Sequence, residues 1–218
     1  VGVAALAAAF VGANHGRLSR IWQTLIKIET LLSAPGLIFC LFNAQHIMIA
    51  LYGPNYAPAG QLFAIFLVLN LIVRVLGMTV HQSTLYVLGK ARLVVIAQWI
   101  GLFVVLGLGF LLVPHYGAAG ALIADGASRI VTCGLMLLFL WNSLPEKYPV
   151  GYTLRVILGT AIAAIPVFLF HPSSKPMLAL FAVIFALLSI GLLMLIRPLS
   201  RKDLDMIGEV RPGVTRYL

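Results

Sequence analysis

Acidic residues are scarce in this chain, with six Asp and Glu in 218 positions against fifteen Lys and Arg, and charged residues make up only 10% of the whole. So little charge excludes a soluble globular domain, because a composition that is 61% hydrophobic could not be hidden behind the polar surface available. Cysteine is almost missing. Cys40 and Cys133 both fall inside apolar runs and far apart in sequence, so neither a disulfide framework nor a thiolate metal site is indicated; they read as small apolar fillers. The five histidines, His15, His46, His81, His115 and His171, show no HxxxH or HxxE spacing that would set two ligands on one helical turn, so no metal and no cofactor is expected. The net charge of +9 does not point to nucleic acid, since the basic residues stand singly and never form a patch with interleaved aromatics.

What the chain has in abundance is long apolar runs, and its mean hydropathy is +1.05. The runs are about 20 residues long without period-2 alternation, which favours transmembrane helices over a barrel. Full spans are expected at Leu31–Leu51, Gln61–Leu88, Leu93–Val113, Ala118–Trp141, Tyr152–Phe170 and Met177–Ile196. A partial one is expected at Val1–Ala13, too short to cross a core of ~30 Å. The fold class is therefore all-α, a polytopic transmembrane bundle of about six full spans plus one partial N-terminal span. Residues 1–196 form the membrane domain, residues 197–218 a tail, and the chain reads as the C-terminal part of a larger protein that begins inside a helix. Between the first two runs, Arg17 to Glu29 sets Leu18, Ile21, Trp22 and Leu25 on one face and Arg17, Arg20 and Lys27 elsewhere. That pattern fits a helix lying at the interface, or the ordinary juxtamembrane start of a span.

The loops carry a topology signal. Arg17, Arg20 and Lys27, then Lys90 and Arg92, then Lys147 and Arg155, then Arg197, Arg201, Lys202, Arg211 and Arg216 all fall on one side of this drawing, and only Lys175 falls on the other. Short cytoplasmic loops accumulate Lys and Arg, so the tail is placed in the cytoplasm and the Tyr52–Gly60, Pro114–Gly117 and His171–Pro176 loops outside. Pro35 and Pro166 lie inside spans and mark expected kinks, hinges or static bends. Gly117, Gly120, Ala121, Ala124 and Ser128 have the small-xxx-small spacing that lets helices approach closely.

Three charges sit where a span should have none: Arg74, Asp125 and Arg129. Placing such a residue at the centre of a spanning helix costs roughly 2.5–3.5 kcal/mol on insertion scales, so each is a functional-site candidate. Asn70, Arg74, Gly77 and His81 recur at i, i+4, i+7 and i+11, which on an unbroken helix draws one polar line through the bilayer. In the later span Asp125, Ser128, Arg129 and Thr132 share a face, and Asp125 can pair with Arg129 at i, i+4. One carboxylate between two guanidiniums leaves a surplus positive charge at mid-depth, which an anionic group would meet. The structural alternative is a buried network that only joins two helices. His81 and Asn70 read equally well as interhelical polar residues satisfied within the bundle.

Three strings, Leu51-Tyr-Gly-Pro-Asn-Tyr-Ala-Pro-Ala59, Leu88-Gly-Lys-Ala-Arg92 and Val113-Pro-His-Tyr-Gly-Ala-Ala-Gly-Ala-Leu-Ile-Ala124, resemble in order and spacing the C-terminal half of polysaccharide and O-antigen flippases. These belong to the multidrug, oligosaccharidyl-lipid and polysaccharide exporter superfamily, and the resemblance covers roughly Val1 to Ile196. It implies one lobe of a two-lobe exporter plus its C-terminal helix pair, moving a lipid-linked oligosaccharide across the bacterial inner membrane. On that resemblance Arg74 and Arg129 would hold the pyrophosphate of the carrier lipid, Asp125 would orient Arg129, and Asn70 and His81 would line the same path. No catalysis is required. The expected partners are the lipid-linked oligosaccharide, membrane lipid and an N-terminal lobe of the same protein, without which alternating access fails. The alternatives are a cation-coupled multidrug exporter of the same superfamily, with Asp125 as coupling residue, and a membrane-embedded polysaccharide polymerase or transferase. The latter would want paired carboxylates or an acidic outside loop, and Tyr52–Gly60 has no acid at all.

Overall fold

A computed structural model describes residues 15–141, 143–170 and 175–196. The expected partial span at Val1–Ala13 and the tail at residues 197–218 lie outside the described residues. The elements in chain order are α1 (His15–Phe42), α2 (Ala44–Tyr52), a 3-10 turn (Pro54–Tyr56), α3 (Ala59–Leu76), α4 (Met78–Val87), α5 (Ala91–Trp141), α6 (Val150–Phe170) and α7 (Lys175–Ile196), with no strand among the described residues. Among the described residues, five helical stretches are long and apolar enough to cross a membrane: Leu18–Phe42, Ala59–Val87, Ala91–Trp141, Val150–Val167 and Lys175–Met194.

The 51-residue α5 is a hairpin, because Gly117 leaves helical geometry at φ 53, ψ −128 just after Pro114. A straight helix would hold positions 101 and 128 about 40 Å apart. Instead Ser128 Oγ donates to the Gly101 carbonyl at 2.7 Å, and Thr132 Oγ1 reaches the Ala97 carbonyl at 3.4 Å. The small residues make this possible. A Cβ on Gly120 would lie 2.4 Å from the Leu112 oxygen, and one on Gly101 only 2.2 Å from Thr132 Oγ1. The stretches expected at Leu93–Val113 and Ala118–Trp141 are the two arms of this hairpin.

The first long helix starts earlier than the hydropathy pattern suggests. Its spanning stretch runs from Leu18 to Phe42, not from Leu31 to Leu51, and α2 follows an interruption at Asn43, whose amide donates to the Phe39 carbonyl at 3.0 Å. The segment from Leu18 to Glu29 is thus continuous with the rest of this apolar stretch. Its apolar face is claimed by protein, not headgroups: Leu18, Ile21, Trp22 and Ile26 are buried against Leu85, Val94, Met136 and Leu140. Past Pro35 the same helix continues without a break, and Ala34 and Ile38 enter a second core with Val156, Ala163, Val167 and Phe185 of α6 and α7.

The connection between α5 and α6 closes one end of the bundle. Glu146 N–H donates to Ser19 Oγ at 3.0 Å, Gln23 Nε2 to the Lys147 carbonyl at 2.6 Å, and Lys90 Nζ to Ser143 Oγ at 2.5 Å. The segments bearing Arg20, Lys90 and Lys147 therefore gather at a single end. At the opposite end of α3, a Cβ on Gly60 would meet the Gln45 backbone at 2.6 Å, so α2 and α3 pack backbone to backbone beside the Pro54–Tyr56 turn.

Candidate functional site

Arg74 stands near the middle of the Ala59–Val87 stretch, one turn before α3 ends. The end is abrupt, because Gly77 takes the left-handed conformation at φ 76, ψ 41, which glycine adopts without steric cost. A Cβ there would also come within 3.1 Å of Ile26. The break re-aims everything after it, so the expected polar line from Asn70 to His81 is not continuous. His81 belongs elsewhere. It is fully buried, accepts the Trp22 indole N–H at Nδ1 over 3.1 Å, and lies beside the rings of Trp22 and Tyr148 in the core at the basic end. This packing sets His81 among buried side chains, apart from the half-exposed Arg74, as the reading of an interhelical polar residue expects.

Arg74 is not a surplus charge. Its Nη1 donates to Glu29 Oε1 of α1 at 3.1 Å, while the Arg74 side chain is 53% exposed and that of Glu29 16%. The second carboxylate oxygen, Glu29 Oε2, is buried with no hydrogen-bond partner. Arg129 and Asp125 form the pair that their i, i+4 spacing predicts, Nε to Oδ2 at 2.9 Å, with both side chains about half exposed at 49% and 48%. Two guanidiniums thus meet two carboxylates, and the positive excess expected from one acid does not exist.

Asn70, one turn before Arg74 on α3, lines a narrow cleft with Asp125, Arg129, Phe66, Leu69, Leu122 and Gly126. The cleft exists because Gly126 lets α3 approach the second arm of α5, where a Cβ would strike Leu69 at 2.5 Å. Its internal space of about 10 Å³ is near the minimum for one water molecule. The Asn70 amide donates to the Phe66 carbonyl of its own helix at 2.8 Å, which fixes the side chain against α3. Of the five residues expected to act together, the structure brings Asn70, Asp125 and Arg129 into one cleft, places Arg74 one turn further along α3, and removes His81.

Glu29 is the member of this charge cluster that sequence reasoning missed. A signal was present: among the six acids, Glu29 is the only one before Asp125, and two mid-span arginines called for a second carboxylate. Ser128 and Thr132, which share the Asp125 face, serve the hairpin through their bonds to Gly101 and Ala97. Compared with protein-family models, curated proteins and solved structures, the chain matches none.

Proposed function

We propose that this chain is one lobe of a flippase that moves a polyprenyl-pyrophosphate-linked oligosaccharide across the bacterial inner membrane. The observation that carries the reading is a pair of half-exposed guanidiniums, Arg74 and Arg129, near the middle of adjacent spanning stretches. Charged groups at that depth do not face acyl chains; they face water, protein or a charged ligand. Guanidinium suits phosphate because its planar fork gives paired, permanently charged hydrogen bonds. The contact between Arg129 and Asp125 uses Nε, which leaves Nη1 and Nη2 for a phosphate oxygen while Asp125 fixes the side chain's direction.

The transport step needs no covalent chemistry. A pyrophosphate entering bare hydrocarbon would lose its hydration without replacement, and a row of fixed guanidiniums supplies that replacement at mid-depth. Rocking between two lobes would then expose the headgroup to one side and the other in turn, with a second lobe covering the face that carries Arg74 and Arg129. The basic end of the bundle lies in the cytoplasm on this reading, which puts the Pro54–Tyr56 turn and Gly117 outside.

The charge balance favours one other reading. With Glu29 and Asp125 matching both arginines, the site carries no excess positive charge to repel a cationic drug, as a cation-coupled exporter of the same superfamily requires. One experiment separates the two. Full-length protein and its R74A/R129A variant are compared for export of lipid-linked oligosaccharide and for drug efflux, with membrane insertion checked in parallel. Loss of oligosaccharide export with normal insertion supports the flippase. Normal polysaccharide export by the double variant, or drug efflux that depends on Asp125 alone, overturns it.

A further inference from the structure

We propose that Glu29 is an internal counter-anion that holds Arg74 until the substrate phosphate displaces it. This rests on the flippase reading above and concerns how its site is regulated. The geometry of the pair is the starting point. A bridge built only to join α1 and α3 would use both carboxylate oxygens on the guanidinium fork. Here one oxygen touches one nitrogen, Oε1 to Nη1 at 3.1 Å, and the other is buried with nothing bonded to it. Arg74 is half exposed and Glu29 lies behind it, so a phosphate arriving from the open face meets the guanidinium before the carboxylate.

The two arginines differ in a way that gives them different tasks. Arg129 is held by a carboxylate on its own helix, through Nε, and can keep that partner while its terminal nitrogens bind a ligand. Arg74 is held by a different helix through a terminal nitrogen, so a fork-on-phosphate contact there competes with Glu29 directly. Once Arg74 turns to the phosphate, Glu29 becomes an unpaired carboxylate at mid-span, and that cost is what the native pair sets against phosphate binding.

Among the described residues, Arg74 is the cation paired with Glu29. Lys27, two residues back on α1, lies over the Tyr152 ring of α6. On α4, His81 faces Trp22. Arg155 of α6 is exposed, and the one titratable group of α7 is Lys175 at its start.

The test uses the full chain in lipid nanodiscs and a short-chain prenyl diphosphate sugar, a pyrophosphate diester. Affinity is measured at one fixed pH for the native protein, E29Q, R74Q and E29Q/R74Q. E29Q should bind roughly tenfold more tightly than the native protein, because the competing carboxylate is gone, and the double variant should lose that gain. If E29Q fails to fold, E29D replaces it: the shortened side chain loosens the pair and should tighten binding. Binding that depends on Arg74 and Arg129 but is unchanged or weakened in E29Q and E29D overturns this inference alone. No binding by the native protein or by E29Q overturns the flippase reading and the inference with it.

Discussion

Trp22 donates its indole N–H to Nδ1 of His81 across 3.1 Å, joining residues 59 positions apart inside a core where both are almost fully buried. An acceptor at Nδ1 requires that any single ring proton sit on Nε2, so the imidazole in this contact is the neutral form. His81 is therefore a packing residue with a polar edge. Trp22→Phe, which keeps the ring and loses the donor, should lower stability by roughly 1 kcal/mol, the scale of interhelical hydrogen bonds in membranes. His81→Ala should cost about 3 kcal/mol through the cavity it leaves. Unfolding midpoints in detergent check both.

The ion pair between α1 and α3 gives an asymmetric expectation. Glu29 is the more enclosed partner, at 16% exposure against 53% for Arg74. Removing the arginine strands a carboxylate, and removing the carboxylate strands a group that already reaches the open face. Arg74→Gln should thus destabilise by about 2 kcal/mol and Glu29→Gln by less, with the double variant closer to the native protein than Arg74→Gln is. A double-mutant cycle on unfolding free energy reads this, and equal single effects that simply add would contradict it.

Glycines on the α5 hairpin separate into contact and open positions. A Cβ at Gly101 would come within 2.2 Å of Thr132 Oγ1, whereas nothing lies within 4 Å of one at Gly107. Gly101→Ala should cost about 1–3 kcal/mol by forcing the arms apart. Gly107→Ala, in the same helix, should be neutral or stabilising by up to about 1 kcal/mol. Thermal melting of the two variants side by side tests the hairpin.

Tyr148 predicts an alkaline limb. Burial pushes its phenol above the usual value, the Thr153 hydroxyl pulls it down, and the nearby Cys133 and Glu29 add to the upward shift. Between about pH 10 and the higher folded value, the folded state keeps a proton that the unfolded state has lost. Stability is complete below about pH 10 and falls as the pH rises through the folded value. Tyr148→Phe should flatten that limb. At neutral pH it should cost about 1 kcal/mol, because the hydroxyl donates to the Val75 carbonyl, one of those left free where α3 stops at Gly77.

Topology can be read by labelling. In a background lacking Cys40 and Cys133, a cysteine at exposed Asn55 should react with an impermeant maleimide in intact cells, and one at exposed Lys147 only after permeabilisation. The reverse pattern would place the basic end outside and remove the cytoplasmic assignment.

Local features of this molecule were legible in the sequence and distant ones were not. The Asp125–Arg129 pair follows from spacing on one helix, and the reversal at Gly117 follows from Pro114 and glycine between two apolar runs. The Arg74–Glu29 pair joins positions 45 apart, and no helical period connects them. Spacing alone puts Gly77 on a polar stripe with Asn70, Arg74 and His81; its positive φ breaks the helix there. The start of the first span was misplaced because an apolar face on Leu18, Ile21 and Trp22 serves a headgroup layer as well as a protein core, and the core lies on helices that come later in the chain.

The contacts that close the basic end fix an order of events during synthesis. Ser19, Gln23 and Lys27 of α1 find their partners at Glu146, Lys147 and Tyr152, at separations of 127, 124 and 125 residues. At ribosomal rates of ~5–20 residues per second, α1 waits on the order of 10 s in the membrane before those groups emerge. Over that interval the polar groups of its first turns face lipid headgroups, water or the insertion machinery. A helix made before its partners is thus among the last to be locked in place, and a chain cut short before Tyr148 holds it with its buried edge still open.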